Sequence, residues 1–205
     1  MKTIAEQYFD LIIKDCFQAT LKPLGFKKKG NNFYRQLADL GQIINVQKSA
    51  YYSKDHIKFT INIGLFIPEY WLVHFNYHDG IVPDFPTEPV CAIRIRIGKL
   101  RYGIDKWFDV NQFTDILELK NETIENLEHY IIPYFERSKT KADIVKLLDD
   151  ETTPLTHFLK LIILGEYKEF ERAQEEYNRL RQDSYVSRNM NSVLLEYRDK
   201  YRLTD

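Results

Sequence analysis

The stretch INVQKSAYYSKDHIKFTINIG, from Ile44 to Gly64, decides the fold. Apolar and polar residues alternate on both sides of a polar segment, Ser53–Asp55, and this is the period of a strand with one buried face. Two such runs joined by a short loop predict an antiparallel pair over residues 42–51 and 57–67. The isoleucines of the second strand then share one face of a sheet, and the polar residues share the other.

Three positions on the polar phase of this pair, Asn45, Gln47 and Asn62, carry uncharged amides where an ordinary solvent face has lysines or threonines. A third segment, CAIRIRIGKL at 91–100, also alternates and places arginines on its polar phase. Amides both donate and accept hydrogen bonds, and the planar guanidinium of arginine suits carboxylate or phosphate. If the three segments pair in one sheet, the pattern predicts a site for a polar or anionic ligand. Its candidate residues are Asn45, Gln47, Thr60, Asn62, Arg94 and Arg96.

Three interpretations of this face remain open from the sequence. The face is a solvated outer surface, as in any one-sided antiparallel sheet. Alternatively, the C-terminal helices cover it, and the amides form a satisfied internal network. In the third interpretation the face is open and binds a ligand.

The remaining pattern predicts an α+β domain. Residues 3–21 have helical apolar spacing, with a capping box at Thr3 and Glu6 and a stop at Pro23 and Gly25. The predicted fold is an N-terminal helix packed on an antiparallel sheet of about five strands, followed by C-terminal helices. The segments that complete it are a hairpin at 25–37, an irregular loop at 78–89, a turn or last strand at 114–119, and helices near 121–137, 139–149, 154–164, 166–182 and 185–201.

The acidic run DDETTP at 149–154 is typical of a boundary, with Pro154 opening a new helix. We therefore expect an α+β domain over residues 1–150 and a helical appendage over 151–205.

Composition bears on the partners of the protein and on its cellular location. The chain has 205 residues, a formal net charge of −1 and two cysteines. This balance disfavours nucleic acid as a partner, and the low cysteine content is not that of a secreted disulfide scaffold. The sequence has no signal peptide and no apolar run long enough to span a membrane, so we expect a cytoplasmic protein.

The other motifs are weaker. His74 and His78 have the spacing of two zinc ligands on a helix, and Asp79 follows them, but Phe75 stands where zinc peptidases have a glutamate and no further ligand is evident, so surface histidines are favoured. The segment DILELK at 115–120, with acidic residues before it, has the residue types of some magnesium nucleases at loose spacing. Lys27–Lys29 could contact phosphate, although lysines that protect a sheet edge explain them better. We expect no metal and no cofactor.

Four segments resemble a known family. They are LKPLGFKKKGNNFYR (21–35), INVQKS (44–49), FTINIG (59–64) and, less specifically, RIRIGKL (94–100). In order and spacing, they resemble an uncharacterised bacterial family, domain of unknown function 4304, over about the first 140 residues. The resemblance implies a bacterial origin and a compact intracellular α+β domain, and it implies no activity or catalytic residue.

The sequence therefore favours a non-catalytic binding or protein-interaction module over an enzyme. Its partner would be another protein, and that partner would be a toxin if the domain is of the immunity type. The alternative is an enzyme or ligand-binder that acts on a phosphate- or carboxylate-bearing small molecule through the polar sheet face.

Overall fold

The computed structural model describes residues 1–51, 53–75, 80–150 and 155–205. These residues form two compact units. Unit 1 comprises Met1–Phe66 and Pro83–Lys139, and unit 2 comprises Ile67–Val82 and Thr140–Asp205. The predicted boundary run 149–154, including Pro154, lies mostly outside the described residues, and the division at residue 150 stays a prediction.

The N-terminal helix forms as the sequence predicts. It consists of α1 (Ile4–Leu11), a π-helical segment (Ile12–Gln18) and α2 (Ala19–Leu21). The Thr3 side chain accepts from the Glu6 backbone N–H while the Glu6 side chain accepts from the Thr3 N–H, so the capping box is present. A 3-10 turn follows, and Gly25 then adopts φ +86°, a left-handed conformation that glycine allows without strain.

In the described part of the chain, the sheet is antiparallel and has six strands. Their order is β1-β2-β3-β4-β5, and β6 also pairs with β4. The strands are β1 (Lys27–Lys29), β2 (Asn32–Gln36), β3 (Gly41–Lys48), β4 (His56–Phe66), β5 (Ile93–Arg96) and β6 (Phe108–Asn111). The fold is therefore α+β, with an N-terminal helix, an antiparallel sheet and helices that follow it.

One face of the sheet packs on the N-terminal helix. The rings of Phe9 and Phe59 meet edge to face at 5.6 Å, and those of Phe17 and Phe33 stack at 5.7 Å. The isoleucines of β4 are buried on this face, as their alternation predicts. Burying such side chains is the main stabilising contribution in a domain of this size. The opposite face is therefore the one that carries the polar residues.

The end of unit 1 differs from the sequence prediction. Residues 114–119 are neither a turn nor a last strand, because Asp115 accepts from the backbone N–H groups of Leu117 and Glu118 and starts a helix there. That helix runs as α5 (Ile116–Asn126), a π-helical segment (Leu127–Ile131) and α6 (Ile132–Glu136). The last strand is β6, and α4 (Ile97–Tyr102) connects β5 to it.

Unit 2 is helical. It contains α3 (Pro68–His74), α7 (Lys141–Leu147), α8 (His157–Glu166), α9 (Phe170–Gln182), α10 (Ser184–Asn189) and α11 (Asn191–Tyr201). The predicted helix at 185–201 is two helices, since Met190 leaves the helical conformation between them. Within the described ranges, no helix is long and apolar enough to cross a membrane.

Candidate functional site: a polar row on the sheet

A row of polar side chains crosses four strands on the face opposite the N-terminal helix. Strand register pairs Asn32 with Asn45, Asn45 with Asn62, and Asn62 with Arg96. Directly paired residues in an antiparallel sheet project to the same side. We call these four residues, together with Gln47, the polar row.

Asn62 is the centre of the polar row. Its amide nitrogen donates to Asn45 Oδ1 at 3.1 Å and to Gln47 Oε1 at 2.8 Å, and its oxygen accepts from Arg96 Nε at 3.1 Å. Asn45 in turn donates to Asn32 Oδ1 at 2.8 Å. Asn62 is only 4% exposed, so its polar atoms are satisfied by neighbours as a buried amide requires. A chain of hydrogen bonds therefore fixes the orientation of each amide.

Arg96 links the row to the segment that precedes β6. Its Nη1 donates to Asp105 Oδ2 at 2.9 Å, and its guanidinium lies 5.6 Å from the centre of the Trp107 ring. Trp107 Nε1 donates to the same Asp105 oxygen at 3.1 Å. The Arg96 side chain is nevertheless 40% exposed. It is therefore held in place and still reachable from solvent.

The remaining predicted residues differ in what they offer. Thr60 pairs with Gln47 and lies on the same face, but it is fully buried and its hydroxyl donates to the Lys106 carbonyl. Gln47 is exposed. Thr60 is thus occupied by a contact within unit 1, whereas Gln47 is available at the surface.

Arg94 lies two residues from Arg96 along β5, on the same face and opposite Gly64. It forms two hydrogen bonds to Glu88, with Nε at 2.6 Å from Oε1 and Nη2 at 3.2 Å from Oε2. The hydrogen bond to Glu88 raises the pKa of Arg94. Glu88 is buried, so its charge needs this partner. Arg94 therefore neutralises a buried carboxylate as well as facing solvent.

All six predicted residues lie on one face, and the structure joins Asn45, Gln47, Asn62 and Arg96 directly. Their role in binding stays a prediction. Sequence reasoning missed Asn32, which lies within the predicted hairpin at 25–37, and it missed Trp107 as a neighbour of Arg96. The alternation of β2 could have placed Asn32 on the polar face, whereas no local signal places Trp107 there.

The residues with the composition of a magnesium nuclease, in the segment 115–120 and just before it, have separate partners. Asp109 lies 2.6 Å from His56 Nε2, Asp115 caps α5, and Lys120 pairs with Asp15. Among the described residues, no three His, Cys, Asp or Glu side chains are grouped to hold a metal ion. Of the three residues that resemble a metal site in the sequence, His78 and Asp79 lie outside the described residues.

Two further features bear on catalysis. Both cysteines are buried, and burial raises the pKa of the Cys16 thiol to about 11. A cleft of about 540 Å³ lies beside His56 and the start of α1. The hydroxyl in its lining belongs to Thr3, which accepts from the Glu6 N–H and donates to the Lys54 carbonyl. The buried cysteines are therefore poor nucleophiles, and the Thr3 hydroxyl already donates its proton to a backbone carbonyl.

The sequence was compared with known families and proteins. The profile of the family described as Domain of unknown function (DUF4304) matches residues 17–137, more than half of the chain. The chain belongs to the DUF4304 family. The polar row and the whole β-sheet lie within the matched DUF4304 segment. No significant match was found among curated proteins or among solved structures.

Proposed function

We propose that this DUF4304 protein is a non-catalytic binding module, and that the polar row is its contact surface for another protein. The observation that carries the proposal is the link between buried and exposed groups. Asn62 is buried, and its hydrogen bonds hold the exposed side chain of Gln47 and the half-exposed side chain of Arg96. The surface is therefore organised before any partner arrives.

Pre-organisation favours binding because the partner does not have to immobilise these side chains. Fixing a long, flexible side chain at an interface costs roughly 0.5–1.5 kcal/mol, and this cost is already met here within the fold. Arginine and tryptophan are also the residue types most enriched among those that dominate protein interfaces. Arg96 beside Trp107 supplies both at the end of the polar row.

The alternative function, recognition of a phosphate- or carboxylate-bearing molecule at the same face, has less support. Arg94 already pairs with Glu88, and Arg96 already pairs with Asp105. An anionic ligand would have to compete with a carboxylate at either guanidinium. A protein partner can instead use the remaining donors and the Trp107 ring without displacing them.

The finer parts of the proposal rest on the family resemblance. The resemblance supports a bacterial origin and a cytoplasmic location for the protein. An immunity-type role, with a toxin as the partner, rests on analogy with other small bacterial domains.

The test is a matched pair of variants. The purified full chain is used to capture a partner from lysate of its source organism, and the partner is then purified and titrated by calorimetry. We expect Arg96→Ala to weaken the complex by about thirtyfold or more, the loss typical of a central interface arginine. Arg188→Ala removes an exposed arginine from α10 and should leave the affinity within about twofold.

Two results would contradict the proposal. One is a reconstituted complex whose affinity changes equally in Arg96→Ala and Arg188→Ala. The other is binding of a small carboxylate or phosphate that is lost with Arg96→Ala, which would favour the alternative.

A further inference from the structure

A group of lysines lies near β1, at the opposite end of the sheet from Arg94 and Arg96 on β5. Across the described residues, no carboxylate lies within ion-pair distance of Lys22, Lys27, Lys28 or Lys29. By contrast, Arg94, Arg96 and Lys120 each have a carboxylate partner. With a formal net charge of −1, the chain as a whole gives no reason for such a local excess.

Three of these lysines, Lys22, Lys27 and Lys28, line a pocket. It has a volume of about 280 Å³ and is formed by the end of the N-terminal helix and the β1–β2 hairpin. We call it the lysine pocket, and its lining residues are Gln18, Lys22, Phe26, Lys27, Lys28 and Phe33. The two phenylalanines are almost completely buried and form its apolar floor, whereas the lysines and Gln18 are exposed at its rim.

Protection of a sheet edge does not account for this arrangement. Lysines on an edge strand discourage pairing with another chain, and β1 is such a strand. Lys22, however, lies in the 3-10 turn after the N-terminal helix, where it protects no edge. Lysines from two different elements, the 3-10 turn and β1, line one cavity. An anion bound there would offset their positive charge.

We propose that the lysine pocket binds a small phosphate ester. The rim lysines hold the phosphate, because ammonium groups are point charges that contact phosphate oxygens without a fixed geometry. The apolar floor receives the organic part of the ligand. The volume lies near the lower end of the range for small-molecule sites, which fits a sugar phosphate or a mononucleotide. A nucleic-acid strand would need an extended basic groove rather than one confined pocket.

The proposal is tested by calorimetric titration of the full chain with AMP, ribose 5-phosphate and inorganic phosphate at low salt. We expect at least one ester to bind, and adenosine, which lacks the phosphate, to fail to bind. Lys27→Ala/Lys28→Ala should raise the Kd of that ester by about tenfold or more, since two charged contacts are lost. Lys22→Ala is a second variant that leaves β1 intact and should also raise the Kd.

The matched control is Lys54→Ala/Lys146→Ala, which removes two exposed lysines outside the pocket. Its Kd should stay within about twofold of wild type. The proposal fails if none of the three phosphates binds at millimolar concentration, or if the control loses as much affinity as the pocket variant. It also fails if fluorescein-labelled single-stranded DNA binds more tightly than every ester and loses that affinity in Lys27→Ala/Lys28→Ala.

Discussion

Asn62→Ala should destabilise unit 1 by about 2–3 kcal/mol. The change removes three side-chain hydrogen bonds, two donated to Asn45 and Gln47 and one accepted from Arg96. A neutral hydrogen bond contributes roughly 0.5–1.5 kcal/mol net, and one to a charged group roughly 1.5–3 kcal/mol. The sum is reduced because Gln47 and Arg96 reach water and recover part of the loss there.

The assay is urea unfolding followed by tryptophan fluorescence and by far-UV circular dichroism. Fluorescence includes a signal from Trp107, which stacks beside Arg96 and should report the loss directly. Asn121→Ala is the matched control, because it makes the same chemical change at an exposed position of α5 and should shift the unfolding free energy by less than about 0.5 kcal/mol. A shift for Asn62→Ala that is no larger than the control's would refute the view that Asn62 organises the polar row.

Three further predictions follow from packing and ionisation. Gly64→Ala should lower the free energy of unfolding by about 1–3 kcal/mol in the same assay, because an added Cβ would lie 2.5 Å from the Cys91 sulfur. An unchanged free energy of unfolding would contradict this tight packing. Neither Cys16 nor Cys91 should react with a thiol reagent at pH 8 in the native state, because burial raises both pKa values, and both should react in urea; rapid native labelling would contradict their burial. Burial also raises the pKa of Tyr201, with Glu166 adding to the shift, so the stability it contributes is present below pH ~10 and is lost as the pH rises above that value. The stability of Tyr201→Phe should therefore fall less than that of wild type as the pH rises above ~10. An equal loss of stability in the two proteins would contradict this assignment.

The sequence predicts those parts of the fold that depend on local periodicity. Alternation in Ile44–Gly64 gives the strand phase, and the capping box at Thr3 gives the start of the first helix. The prediction for residues 114–119 is wrong because their apolar residues fit a strand as well as a helix. Asp115 decides in favour of the helix by capping it.

The candidate site is predictable only in part, for a similar reason. Strand phase places Asn62 and Arg96 on one face, but it does not show which carboxylates neutralise the arginines. Glu88 and Asp105 come from segments outside the strands, and the path of these segments depends on tertiary packing rather than on a repeating pattern. The sequence therefore suggested an anion clamp at Arg94 and Arg96, where the structure has two ion pairs.

The central claim is that the exposed groups of the polar row are held in place before a partner binds, and side-chain NMR of the free protein tests it most directly. In a ¹⁵N-labelled full chain, we expect separate, slowly exchanging signals for the Asn62 side-chain amide and for Arg96 Nε–H, because both donate hydrogen bonds within the row. Signals that exchange with water as fast as those of the exposed Arg188 would mean that the row is mobile, and they would contradict the claim.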